Sequence, residues 1–191
     1  MLKTSTRRPA ARPPVSGRIQ RERRALRGLA ATLLLLVLPF LAGCGEDLEA
    51  RSGLAGAFPS AEAATQAALD ALHAGDESGL RALLLTREEH RDLLWDELPE
   101  RTYFSFDYVR LLNEHNTKKA IQRALERYGG ADLEVVSLEF EKPTEEYSDF
   151  RLHRGAKLTV RRRSDGREAQ IDLVDVFVER NGGWKPMNYV E

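Results

Sequence analysis

The chain reads as an α+β protein with its helices first and its strands after. Three observations predict this. Apolar residues recur at helical spacing from Ser60 to about Gly130. From Asp132 the spacing changes to alternation, as in Val136, Leu138 and Phe140. Ser164-Asp165-Gly166 and Asn181-Gly182-Gly183 then punctuate the second half with hairpin signals. A run of helices followed by a run of strands packs as a helical layer on one face of an antiparallel sheet. The expected architecture is N-terminal helices on a four-stranded sheet, in a single domain over residues 59–191.

Ser60 after Pro59 is an N-cap signal, and Ala61–Ala74 is built of strong helix formers. Ala64, Ala68, Ala71 and Leu72 share its apolar face, with Leu69 widening it, and Gly75 supplies the stop. Asp76 caps a short second helix carrying Leu80, Leu83 and Leu84. Thr86 and Glu89 have capping-box spacing for a third, from Arg87 to Leu98. Glu88-Glu89-His90 reads as its solvated first turn, where acids favour a helix N-terminus. A helix from about Asp107 is expected to break near Asn113–Asn116, because Tyr108, Leu111 and Leu112 are out of phase with Ile121, Leu125 and Tyr128. Gly129-Gly130 ends the helical half. Four strands follow: one around Val136 closed by Pro143, one over Phe150–Arg163, one over Ala169–Val178, and a last from Trp184 to Val190.

Ahead of this domain the composition is different. Residues 1–43 hold nine Lys/Arg and one Glu, including Arg7, Arg8, Arg12 and Arg18, and so carry +8. The remaining 20 basic and 29 acidic residues give the rest of the chain −9. An acidic domain repels nucleic acid, which excludes it as a general partner. The run from Leu29 to Leu41 is almost wholly apolar but shorter than the ~20 residues of a spanning helix. It fits the core of a signal peptide with small residues at its end. Leu41-Ala42-Gly43-Cys44 resembles the lipobox of bacterial lipoproteins. That resemblance implies a signal peptide over residues 1–43 and a mature protein that begins at Cys44, with a diacylglyceryl group on the sulfur and an amide-linked chain such as palmitate. The partner is then a membrane, in the bacterial cell envelope. For a two-membrane bacterium the lipoprotein resemblance further implies that Gly45, in place of the Asp of inner-membrane retention, favours the outer membrane facing the periplasm. Cys44 is the only cysteine, so once it is acylated no thiol remains for a disulfide, a metal or a nucleophile. Residues 44–58, with Gly53, Gly56 and several acids, read as the lipidated cysteine and a flexible tether.

Within the domain, Ala68-Leu69-Asp70-Ala71-Leu72-His73-Ala74-Gly75-Asp76, followed by Leu80 and Leu83, resembles the opening helix pair of nuclear transport factor 2-like (cystatin-like) domains. Gly182-Gly183-Trp184-Lys185 is similar to their last hairpin. The resemblance implies a curved, cone-like sheet with a pocket over the helices. The superfamily holds isomerases, dehydratases and non-catalytic binding domains, so fold alone assigns no activity. Isomerase-like sites there use a Tyr and carboxylic acids in an apolar pocket. Tyr103, Tyr108, His153 and Asp175 are residues of the right type. Asp175 stands out because it interrupts an apolar strand, and an outward position or a satisfied structural hydrogen bond is the simpler account of it. The four histidines lack metal-ligand spacing, and no cofactor motif is present. Arg161-Arg162-Arg163 is either a charged sheet edge or a docking spot for an anionic envelope partner. The expected function is a membrane-anchored envelope lipoprotein with a non-catalytic domain for a small apolar ligand or an envelope protein. A small isomerase- or dehydratase-type enzyme and an envelope-assembly factor are the alternatives, and a homodimer through the sheet is open.

Overall fold

A computed structural model of the chain describes residues 48–190. The leader, the lipobox and Cys44 lie outside the described residues.

The fold is α+β, as the two periodicities predict. Helix α1 (Ala61–Ala74) starts at Ser60, whose Oγ accepts from Ala63 N, and stops at Gly75 in the left-handed region (φ 67°). Its alanine-rich face lets it lie close on β1 (Leu133–Phe140), and Ala64, Ala68, Leu69 and Leu72 are buried there. Asp76 caps α2 (Glu77–Ala82), and the Leu80 carbonyl of that helix accepts the Tyr189 hydroxyl at 2.9 Å.

The third helix differs from expectation. The Thr86–Glu89 capping box is present, but α3 covers only Arg87–Glu89 and widens into a π turn over His90–Leu94. Trp95 N closes that turn by donating to His90 O at 2.9 Å. The wider turn lets Glu89, His90 and Leu94 all face inward. The solvated reading of this first turn is therefore corrected: Glu88 is exposed, while Glu89 and His90 are 7% and 2% exposed. A 3-10 turn over Pro99–Thr102 follows.

Helix α4 (Phe106–Tyr128) is continuous, without the expected break at Asn113–Asn116. The phase change along it is real, but its two halves meet different surroundings. Ala120, Ile121 and Ala124 enter the core, whereas Tyr108, Leu111 and Leu112 are exposed. One continuous helix serves both because nothing requires its apolar stripe to stay in phase.

The single four-stranded sheet is also corrected. Two of the expected strands each bend and serve two sheets. Phe150–Arg163 divides at Gly155 (φ 70°) into β3 (Arg151–Arg154) and β4 (Ala156–Arg162). Ala169–Val178 divides at Asp172–Leu173 into β5 (Glu168–Ile171) and β6 (Val174–Arg180). With β2 (Glu145–Glu146) and β7 (Gly183–Tyr189) they make two antiparallel sheets, β1-β4-β5 and β2-β3-β6-β7. The divisions lie side by side, since Gly155 N donates to Asp175 O at 2.9 Å. The last hairpin turns at Asn181 (φ 48°) and Gly182 (φ 79°), as the Asn-Gly signal predicts.

The tether reading of residues 44–58 is corrected from Leu48 onward. Residues 48–52 are helical, and Ser52 and Leu54 are fully buried. Arg180 Nη1 bonds Ser52 O, Asn181 Nδ2 donates to Arg51 O at 3.0 Å, and Phe58 and Trp184 exchange backbone bonds of 2.9 and 2.8 Å. Glycines and acids suggested a loose linker, but Leu48, Leu54 and Phe58 each find a place on the fold.

Burial falls into two clusters. One joins α1, α2 and the C-terminal half of α4 to β1 and β4. The other gathers Leu54, Leu94, Leu98, Phe150, Leu152 and Val178 on one face of the second sheet. Each fully buried leucine contributes about 1.5–3 kcal/mol.

Candidate ligand-binding site

A cavity of about 310 Å³ opens off the second cluster, between the His90–Glu100 stretch, the first turns of α4 and the second sheet. The π turn supplies His90, and Trp95 and Leu98 follow it on the same wall. Glu100 and Phe104 come from the 3-10 turn and the loop after it. Tyr108, Val109 and Leu112 project from α4. The sheet closes the site with Arg154 of β3, Val176 of β6, and Met187 and Asn188 of β7. Its size lies at the lower end of the ~300–1,000 Å³ typical of small-molecule sites.

His90 is held by aromatic edges, with ring centroids 6.0 Å from Trp95 and 5.4 Å from Phe106. Burial, helped by the positive charge of Arg110, pushes its pKa down to about 4, so the imidazole is neutral at pH 7. Beneath it sits a buried ion pair. Lys185 Nζ lies 2.9 and 3.1 Å from the Glu89 carboxylate oxygens and donates to Ala55 O at 2.6 Å. Glu89 also accepts from Ala55 N and Thr86 N. The pair clamps the N-terminal segment, α3 and β7 together, and so fixes where His90 enters the cavity.

The polar groups of the cavity are unusual in what they lack. Among the described residues, four buried side-chain N or O atoms have no hydrogen-bond partner. Three of them, His90 Nε2, Glu100 Oε2 and Asn188 Oδ1, belong to residues that line this cavity. Leaving each one unpaired costs about 1–3 kcal/mol, so their concentration in one place calls for a reason. The exposed lining of the cavity is apolar: Phe104, Tyr108 and Leu112 are each about half exposed, and Phe104 stacks on Tyr108 at 5.6 Å.

The residues singled out in sequence do not form one pocket, which corrects that grouping. Tyr108 lines the cavity at its rim. Tyr103 is 79% exposed and lies outside its lining. Asp175 lines a neighbouring polar recess with Asn116 and Thr117. His153 is buried on the opposite face of β3 from Leu152 and Arg154, packed on Trp184 at 4.5 Å and Phe140 at 5.0 Å. Its Nε2 lies 2.9 Å from Glu179 Oε2 and its Nδ1 3.2 Å from Thr144 Oγ1. A hydroxyl, an imidazole and a carboxylate thus stand in line. The two aromatic rings packed on His153, and the competing 3.4 Å contact from Arg151 to Glu179, make this a brace across β3 and β6 rather than an open nucleophile.

The Arg161–Arg163 run is neutralised within its own sheet. Arg161 pairs with Glu134 and Glu168, Arg162 with Asp165, and Arg163 with Asp132 and Glu134. Among the described residues no group of three or more His, Cys, Asp or Glu could hold a metal ion, and no helix is long and apolar enough to cross a membrane.

No family model matches the chain, and no curated protein or solved structure is significantly similar to it.

Sequence reasoning missed His90, Glu100 and Asn188. His90 did carry a signal: with Leu94 and Leu98 it continues an apolar row at i, i+4 and i+8. Glu100 behind Pro99 and Asn188 in the last strand carried none.

Proposed function

We propose that the chain is a membrane-anchored envelope lipoprotein whose α+β domain binds a small, largely apolar ligand. The observation that carries the binding half is the cavity itself: aromatic and aliphatic walls with the polar residues His90, Glu100 and Asn188 among its lining. Such a lining suits a ligand with an apolar body and a polar head. The anchoring half rests on Leu41-Ala42-Gly43-Cys44 behind its apolar run and arginine-rich leader. In the same reading, the two sheets act as halves of one curved, cone-like wall that bends at Gly155 and at Asp172–Leu173.

Filling the cavity tests the binding half. Val109→Trp is expected to abolish the uptake of an environment-sensitive apolar dye while leaving the fold intact by circular dichroism. Undiminished dye binding in a folded variant would overturn it. For the anchor, mass spectrometry should find two kinds of acyl modification on Cys44, and Cys44→Ser should release the protein from membranes. A variant that still partitions fully with membranes would contradict it.

A second reading has a specific observation in its favour. His90 and Glu100, two ionisable groups, line one apolar cavity, as proton-transfer isomerases and dehydratases require. In it Glu100 takes the proton and neutral His90 hydrogen-bonds the developing oxyanion. Exchange of α-protons of cyclic ketones in deuterated water, followed by NMR and lost in Glu100→Gln, would establish it. No exchange above buffer leaves the binding function.

A further inference from the structure

We propose that the outer face of α4 lies on an anionic lipid surface, with its first turns inserted at the level of the headgroups and its exposed cations on the phosphates. Exposure marks the place. Tyr103, Phe104, Tyr108, Leu111 and Leu112 are five of the six large hydrophobic side chains exposed among the described residues. They fall within ten residues of chain. Ser105 Oγ accepts from Tyr108 N at 3.3 Å and Phe104 stacks on Tyr108, so the loop and the helix present one surface. Tyr103 and Leu111, the latter 68% exposed, lie outside the cavity lining, so a ligand in the cavity does not cover them. Contiguous exposed apolar surface of this kind marks a protein partner or a membrane.

Charge selects the lipid surface. Along α4 the exposed face continues from Tyr108, Leu111 and Leu112 to Lys118, Lys119 and Arg123 at helical steps of three and four. Toward its start the helix is neutralised, Asp107 by Arg87 and Arg110 by Glu114. Further on, Lys118, Lys119, Arg123 and Arg127 have no ion-pair partner among the described residues, and Glu126 is the one acid left beside them. With 5 basic and 3 acidic residues α4 carries +2, on a chain that carries −9 beyond residue 43. Anionic headgroups repel such a body on its other faces and so turn α4 toward them. Aromatic rings at the headgroups, leucines beneath and long basic side chains on the phosphates are the division of labour of an interfacial helix. From Tyr108 to Arg123 the stripe is about 22 Å long, the contact of a helix lying flat. A lipid on Cys44 would fix a point of the chain, whereas this face fixes the orientation of the domain and does not depend on that lipid.

The test uses the full chain with Cys44→Ser, so that no lipid on that residue takes part. An environment-sensitive NBD label is placed at Leu111→Cys or, as the reference, at Arg167→Cys in the turn between β4 and β5, where the side chain is 82% exposed. Each chain is mixed with vesicles of equal parts phosphatidylglycerol and phosphatidylcholine, and sedimentation shows that it is on them. The label at 111 is expected to brighten by at least about two-fold with a blue shift, and the label at 167 to stay as in buffer. Each cation is worth roughly five-fold in affinity near such a surface. Lys118→Gln, Lys119→Gln and Arg123→Gln together should therefore cut the response at 111 by at least about two-fold, even where the leader itself holds the chain to the vesicle. An unchanged response in that triple variant overturns the anionic surface. So does a chain that fails to sediment, a sedimented chain silent at 111, or an equal response at both positions. A response at 111 without vesicles, growing with protein concentration, assigns the face to a second copy and overturns the proposal as well. Should the triple variant not fold, the two label positions decide. Because Cys44→Ser is present throughout, none of these outcomes bears on the anchor, and none bears on the cavity.

Discussion

Replacing Lys185 by methionine removes one charge from a place where water does not reach. Lys185 is 1% exposed and Glu89 7%. The ammonium makes three contacts, two to the carboxylate at 2.9 and 3.1 Å and one to Ala55 O at 2.6 Å. Methionine keeps most of the volume but leaves Glu89 without its counter-charge and the Ala55 carbonyl without its donor. Breaking a buried pair from one side costs about 3–5 kcal/mol. A domain of this size shifts by roughly 2–4 °C per kcal/mol, so the midpoint should fall by roughly 6–20 °C. Urea denaturation read by tryptophan fluorescence measures the cost, and an unchanged m-value shows that the native state is the same. The double variant Glu89→Gln, Lys185→Met should be more stable than Lys185→Met by at least about 1 kcal/mol, because the unpaired charge is gone. A cost below about 1 kcal/mol for Lys185→Met, or no recovery in the double variant, would refute the clamp.

Three further perturbations test other parts of the fold. His90 falls from its ordinary 6.5 to about 4, so the unfolded chain binds a proton between those values that the folded chain refuses. Stability should therefore drop by about 3 kcal/mol as pH falls from 6.5 to 4 on account of this residue, and His90→Phe should flatten the urea-midpoint profile over that window. Leu54→Ala should cost about 2–5 kcal/mol by chemical denaturation, since the side chain is fully buried; a loose tether would give almost nothing. Gly155→Ala puts a side chain at φ 70°, where the chain passes from one sheet to the other, and should cost about 1 kcal/mol or more by the same assay.

Local signals were legible wherever a residue acts on its immediate neighbours. Ser60, Asp76 and Thr86 cap where their types and spacing place them, and Asn181-Gly182 turns the last hairpin. The class α+β follows from such signals alone. What escaped depends on partners distant in sequence. Gly155 reads as an ordinary residue in a long strand until Asp175 is seen beside it, and then one strand becomes two in different sheets. The phase shift after His115 looks like a helix break because sequence cannot say that Tyr108 and Leu111 face solvent. Glu89 satisfies a capping box locally, and its second role exists only because Lys185, 96 residues on, arrives opposite it. The cavity is the extreme case: His90, Glu100 and Asn188 belong to a π turn, a 3-10 turn and the last strand, and no spacing rule links them.

The docking of residues 48–58 onto the last hairpin bears on reach. Only four peptide units separate Cys44 from Leu48, a contour of at most ~14 Å. A lipid on Cys44 would hold the domain on a short leash, against the headgroups rather than out in solution. The docked segment behind that leash is fastened at Ala55, whose backbone bonds both Glu89 and Lys185, and Glu89 immediately precedes His90 of the cavity wall.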